Sequence, residues 1–246
     1  MCHPRDSPTL QVNLVSLIKP VNRLLASLPD RELIKILKCC ETVHLESAMV
    51  LGQPGINLHH VYFPLSGSIS VVCAVDEHAP QEVGLIGNEG MLGATVALGV
   101  RESPLSVVVQ GPGVALRMSI NDYRRSLREN PAMHSMLGRY LYVLLVQLSQ
   151  TVACSRFHEV DERLACWLLM THDRANSDHF HLTHQHLANM LGVQRSAVTI
   201  AAGGLQKHGL ISYSRGDISI LDRAGMEAAS CICYELAGMA YTRQFS

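Results

Sequence analysis

Gln194, Arg195, Ser196 and Thr199 lie within the stretch "LTHQHLANMLGVQRSAVTI". These side chains are of the types that hydrogen-bond base edges and phosphate oxygens. An arginine presents a planar fork that fits guanine or a phosphate, while amides and hydroxyls both donate and accept. From His181 to Gly216 the charged residues are Arg195, Lys207 and Arg215, with no Asp or Glu. The acids gather outside, at Glu159, Asp161, Glu162, Asp173 and Asp178 before it and Asp217, Asp222 and Glu227 after it. The stretch is thus locally basic within a chain of formal net charge -1. That is a modest electrostatic footprint for phosphate contact.

Other reactive side chains give weaker signals. His179, His181, His184 and His186 fall close together. Histidines can bind transition metals, but His184 and His186 are two apart and do not share a helix face. They read as polar surface. The eight cysteines are scattered, with no CxxC, and the adjacent Cys39-Cys40 is poor geometry for a disulfide. Cys231-Ile232-Cys233 reads as packing. No metal site and no cofactor is expected. The chain has no glycine-rich phosphate loop, no GxSxG and no HExxH, so it is not expected to be an enzyme.

The elements that must position these residues follow from periodicity. Apolar residues recur at helical spacing over 14–41, with a break at Pro20 and a new start at Pro29-Asp30. Over 42–119, short β-branched runs alternate with Gly, Pro, Asn and Asp, as in a small β-roll. From Ile120 the helical period returns, and Pro131 opens a long helix. On it Leu137, Leu141, Leu144, Leu148 and Thr151 are spaced 4, 3, 4 and 3, the pattern of a coiled-coil seam. That seam is expected to pair with a second copy. A further helix runs from Phe157 to Asp173, with Val160, Leu164, Trp167 and Leu168 on one face, and a polar loop "RANSDHFH" follows.

Thr183 then caps a helix to Leu191, Gly192 makes the turn, and a second helix runs from Gln194 to about Gln206. "GLISYSRGDISI" forms two strands with Arg215 at the tip. Together these are a winged helix-turn-helix. Thr183, Gln194, Arg195, Ser196, Thr199, Lys207 and Arg215 are the candidate DNA contacts. Gly203-Gly204, in the later half of the second helix, suggests close packing on a neighbour or a bend.

Over about residues 20–230 the chain resembles the Crp/Fnr family of bacterial transcription regulators. "LTHQHLANMLGVQRSAVT" is similar to its helix-turn-helix signature, with Leu187-Ala188 and Gly192 in place. "VYFPLSGSISVV" and "EVGLIGNEGMLG" resemble its cyclic-nucleotide-binding-like β-roll, and "RFHEVDERLACWLL" the helix that opens its DNA-binding domain. The resemblance implies an α+β chain in three parts: a cupin-like β-roll sensor with N-terminal helices at 14–119, connecting and dimerisation helices at 120–154, and a winged helix-turn-helix at 155–230. It implies a homodimer on palindromic double-stranded DNA, with RNA polymerase as a partner if the protein activates. It is expected to be cytoplasmic. The N-terminus has no signal-peptide pattern, and the longest apolar runs, such as "LYVLLVQL", are far short of the roughly 20 residues of a membrane span.

Three departures qualify the resemblance. Nucleotide-binding members carry Gly-Glu and then, about ten residues on, Arg-Ser or Arg-Thr. Here Gly93 precedes Ala94, and the later stretch is Pro104-Leu105-Ser106, with Arg101 at the wrong offset. An anion buried without a cation is costly, so cyclic nucleotide binding is not expected. The N-terminus offers only Cys2 before Cys39-Cys40, against an iron–sulfur cluster of the family's oxygen sensors. Ser196 stands where many members have an acid that reads cytosine, so the half-site should differ. The alternative is a cupin-like ligand sensor or metal-dependent enzyme without DNA binding. Its candidate histidines are His44, His59, His60 and His78.

Overall fold

The computed structural model describes residues 22–74, 80–175 and 178–245. The helix expected over 14–20, Cys2 and His78 lie outside the described residues. The order is α1 (Arg23–Ala26), α2 (Asp30–Leu37), β1 (Cys40–Leu45), β2 (Val50–Gly52), β3 (His60–Pro64), β4 (Ser68–Cys73), β5 (Gln81–Ile86), a 3-10 turn (Ala94–Leu98), β6 (Ser106–Gly111) and β7 (Gly113–Ser119). Helices α3 (Ile120–Glu129), α4 (Pro131–Phe157) and α5 (Val160–Ala175) follow. The rest is β8 (His179–His181), α6 (His184–Leu191), α7 (Arg195–Lys207), β9 (Ile211–Ser214), β10 (Asp217–Ile220), α8 (Arg223–Ala229) and α9 (Cys233–Phe245). The strands form three sheets, ordered β1-β7-β3, β2-β6-β4-β5 and β8-β10-β9. This is the expected α+β chain, with a β-roll first and a winged helix-turn-helix last.

The described residues divide into two compact units, one of residues 22–69 with 86–143 and 244–245, the other of residues 70–74 and 80–85 with 144–175 and 178–243. In the first, antiparallel β1, β7 and β3 keep an unbroken register, with Phe63 opposite Leu116 and Val61 opposite Met118. These side chains join Leu24, Leu25, Leu33, Ile36, Tyr123 and Met133 in the core. The buried Asn22 ties the N-terminal helices to the roll. Its amide donates to the carbonyls of Pro64 at 2.8 Å and Gly90 at 3.2 Å, and its Oδ1 caps α1 through the Leu25 amide. Ser119 caps α3 through the Asp122 amide, and Asn130 Oδ1 accepts from the Met133 amide in the first turn of α4. The Met91 amide donates to the Tyr140 hydroxyl at 3.1 Å, which fixes the start of the long helix in this unit.

In the second unit, α5 is the central element. Leu164, Leu168 and Leu169 pack with Leu187, Leu191, Val198, Leu205, Ile211, Ile218 and Met226. The Arg163 guanidinium is buried and donates to the Leu191 carbonyl, which meets the demand of a helix C-terminus for a donor. The polar stretch before α6 is not all loop. His179–His181 pairs antiparallel with Asp217–Ser219 as a third strand of the wing sheet. Three residues are too short to show a strand period. Among the described residues no helix is long and apolar enough to cross a membrane.

Candidate nucleic-acid interface

The geometry of the helix-turn-helix is set by local chemistry. Thr183 Oγ1 accepts from the His186 amide and starts α6, as an N-cap threonine does. Gly192, at φ 64°, ends it in the left-handed region that favours glycine. The side chain of Gln81 packs over it, 3.1 Å from where a Cβ would stand. Gln194 is the residue before α7 and leaves the helix start open, with no side-chain cap of its own. The wing turn has two residues, Arg215 at φ 52° and Gly216 at φ 94°. Two successive positive φ values between antiparallel strands make the tight hairpin that matches strand twist. Arg215 is therefore held at the exposed tip.

Gln194, Arg195, Ser196 and Thr199 are all exposed, while Val198, Ala201, Ala202 and Leu205 face the core. The structure brings the first three together at the open N-terminus of α7. Thr199 is exposed as well, but its hydroxyl is already engaged. It donates to the Arg195 carbonyl at 3.0 Å and lies 3.0 Å from His184 Nδ1. Lys207 is exposed in the last turn, 12 residues beyond Arg195, or about 18 Å along the axis. It lies apart from the exposed Gln194, Arg195 and Ser196 at the other end of α7.

Ile200, which the sequence reading left out, is 77% exposed one residue beyond Thr199. An apolar side chain there suits the methyl of thymine. The signal was an isoleucine at a position the helical pattern assigned to the outer face.

His184 has its pKa lowered by burial first and by Arg195 second, which favours the neutral ring. The exposed His181 holds Asp217 at 2.9 Å and lowers the carboxyl's pKa. The histidine stretch is thus spent on the wing and its sheet.

Residues 162–229 match the family model of the Crp-like helix-turn-helix domain. The C-terminal unit carries a Crp-like helix-turn-helix domain. Solved structures share the fold over 77–79% of the chain. The chain is 12% identical to FixK2 from Bradyrhizobium japonicum, with TM-score 0.66, covering 78% of this chain and 98% of that one. It is 14% identical to the c-di-GMP responsive global regulator CLP of Xanthomonas campestris, with TM-score 0.65, covering 79% and 100%. It is 21% identical to a CRP/FNR-family transcriptional regulator from Thermus thermophilus, with TM-score 0.64, covering 77% and 98%. No curated protein matches the chain. The Crp-like domain thus stands on a chain with the Crp/Fnr fold, as the sequence resemblance implied.

Upstream of the Crp-like domain, the leucines of the long helix differ in burial. Leu137 is 1% exposed, buried in the core of its own chain, and Leu144 is half-buried. Leu141 is half-buried and Leu148 exposed. The exposed large apolar residues of the helix are Tyr142, Leu145, Leu148, Val152 and Phe157. Gly138, Leu141, Leu145, Leu148 and Val152 are spaced 3, 4, 3 and 4, an outward row that keeps Leu141 and Leu148 of the seam read in sequence and has Gly138, Leu145 and Val152 in place of Leu137, Leu144 and Thr151. Leucines occur on both faces, and spacing alone did not choose between them.

A correction concerns Gly203 and Gly204. The helix runs unbroken through both, and a Cβ at either meets nothing within 4 Å. They serve neither a close contact nor a break within this chain.

In the β-roll, Ala94 is buried. Arg101 sits in a loop, with its Nε buried and without a partner.

Sequence reading assigned no metal ligand, yet the fold gathers four candidates. One donor atom each from Cys154, His158, Cys231 and Cys233 lies within 4.8 Å of the others. The thiols share protons unequally. Hydrogen bonds from Cys154 and Cys166 pull the Cys231 thiol down, and the same bonds, with burial, push Cys154 and Cys166 up. The sequence signals were Cys154 and His158, four residues apart, and the Cys-x-Cys pair.

Proposed function

We propose that the chain is a sequence-specific DNA-binding transcription regulator of the Crp/Fnr type, not an enzyme, that acts in the cytoplasm as a homodimer on a palindromic site. One observation carries this reading. The open N-terminus of α7 presents Gln194, Arg195, Ser196 and Ile200 outward, beside a wing tip that holds Arg215, with no carboxylate between His181 and Gly216. Arg195 reads guanine or holds a phosphate, and Ile200 meets a thymine methyl. Thr183, Lys207 and Arg215 contact the backbone. Thr199 positions His184 and the start of the helix.

The second copy docks along the seam of Leu141, Leu145, Leu148 and Val152. Two-fold symmetry then places two recognition helices about one DNA turn apart. RNA polymerase is the protein partner if the regulator activates. The β-roll senses without cyclic nucleotide, because Ala94 and Pro104-Leu105-Ser106 supply neither the acid for a ribose hydroxyl nor the arginine pair for a phosphate. The cupin alternative gains no support. His44 and His59 are exposed, and among the described residues no group of three metal-ligating side chains gathers in the β-roll.

The test is recovery of genomic fragments bound by the purified protein, followed by gel shifts on the recovered site. Wild type should bind selectively, and the affinity should fall as salt rises. Arg195→Ala should weaken the specific site by about 10- to 100-fold and weaken random DNA far less. A wild-type protein with no sequence-selective, salt-dependent shift would falsify the reading.

A further inference from the structure

We propose that Cys154, His158, Cys231 and Cys233 are the ligands of a single zinc(II) ion. Cys154 Sγ lies 3.6 Å from Cys231 Sγ, and Cys233 Sγ lies 3.6 Å from His158 Nδ1. Zinc bound at about 2.3 Å to sulfur in a tetrahedron puts its ligand atoms about 3.8 Å apart, so these separations fit the edges of one coordination shell. They are too long for a disulfide, whose sulfurs sit at about 2.05 Å.

All four donor atoms fall within 4.8 Å of one another. That span suits one ion. A cluster of two or four irons spreads its thiolates over separate metal centres and needs a wider ring of ligands. The donor set excludes calcium and magnesium, which take oxygen. Three thiolates and one imidazole are a common structural zinc shell.

The backbone is arranged to present them. Cys154 lies in the last turn of α4 and His158 directly follows its end. The His158 amide donates to the Cys154 carbonyl at 3.2 Å, which continues the helical turn and turns both side chains to one face. Cys231 and Cys233 flank Ile232, which is 55% exposed, so the two cysteines turn inward together. Cys154 and Cys231 are buried, and Cys233 and His158 are partly buried, which shields the ion while leaving an entry path. Cys166 and Met170 wall the cluster. The segment that carries Cys233 is also held from the side. Arg223 reaches the Tyr234 hydroxyl at 2.6 Å and Asp173 at 2.8 Å. The metal would thus clamp the end of the long helix to the junction of α8 and α9, segments 77 residues apart.

The experiment measures metal in the full chain, purified under reducing conditions without a metal-affinity step. One equivalent of zinc per chain is expected in wild type and in the control Cys73→Ser. Cys231→Ser and Cys233→Ser should have lost it. Cobalt(II) added to chelator-stripped wild type should give the intense visible band of a tetrahedral thiolate site, which zinc bleaches and magnesium does not. If the cysteine variants do not fold, His158→Ala removes a partly exposed ligand without touching the sulfur core. It should release zinc to a chelator about tenfold more readily or more. The proposal is overturned by metal-free wild type that gives no cobalt band, by zinc retained in both folded cysteine variants, by a stoichiometric metal other than zinc, or by a Cys154–Cys231 disulfide in protein purified without oxygen.

Discussion

His184 stacks on Tyr213 with ring centroids 4.4 Å apart and planes 14° from parallel. The contact joins the first helix of the helix-turn-helix to the wing. The Tyr213 hydroxyl extends it by donating to the Leu182 carbonyl at 3.2 Å, and Gln206 Oε1 accepts from the Tyr213 amide at 2.9 Å. Tyr213→Ala should lose the stack and the hydrogen bond together, about 2 kcal/mol for a half-buried ring. Tyr213→Phe should lose only the hydrogen bond, about 1 kcal/mol. Thermal denaturation of the two variants separates ring from hydroxyl. Because the lowered pKa of His184 favours the neutral ring, the unfolded chain takes up the proton first as pH falls. The His184 contribution should be fully present above pH 6.5 and decline below it.

The long helix makes a paired prediction. Leu145 is 65% exposed and Val152 70% exposed, whereas Leu137 is 1% exposed. Leu145→Glu should dissociate the proposed homodimer while each chain stays folded, as read by sedimentation. Leu137→Ala should instead cost about 2–5 kcal/mol of folding stability, the usual range for a buried leucine. The opposite pattern, a stable monomer from Leu137→Ala and an intact dimer from Leu145→Glu, would restore the seam read from sequence.

Gly203 and Gly204 stand in open space within an unbroken helix. Alanine at either position should therefore stabilise the chain by about 1 kcal/mol, the difference in helix propensity. A raised melting temperature with retained DNA affinity is the expected result. A fall in DNA affinity alone would assign the glycines to the bound complex.

Glu82 is buried at 3% exposure, and Ser70 donates a hydrogen bond to its Oε2 at 2.8 Å. Burial raises its pKa from 4.5 to about 8, against the pull of the Ser70 hydroxyl and of Arg174. The folded chain therefore holds this proton while the unfolded chain releases it at an ordinary carboxylate pKa. Stability should fall as pH rises from about 4.5 to about 8 and then level off. Glu82→Gln keeps an acceptor for Ser70 and removes the charge. Denaturant titrations across this range should show a flatter profile for the variant.

The C-terminal domain was the most legible part of the sequence because its signals are local. Thr183 as cap, Gly192 as turn and Arg215-Gly216 as hairpin tip each depend on a few neighbouring residues and the backbone angles they favour. The β-roll was legible as alternating short runs, and Pro131 marked the long helix. Two outcomes depended on contacts instead. Thr199 carried the right chemistry for DNA, and only the fold shows that its hydroxyl also bonds the Arg195 carbonyl and lies 3.0 Å from His184 Nδ1. His179–His181 became a strand only because β10 lies beside it.

By itself, then, the sequence determined the order of elements and the exposed types at the start of the recognition helix, since periodicity and capping act over one or two turns. The tertiary structure decided which leucines of the long helix face inward, because a helix with leucine on both faces is oriented only by what packs against it. It also decided that Cys154 and His158 meet Cys231 and Cys233. Ligands 77 residues apart carry no spacing rule, and only the path of the folded chain brings their sulfurs and nitrogen to one point.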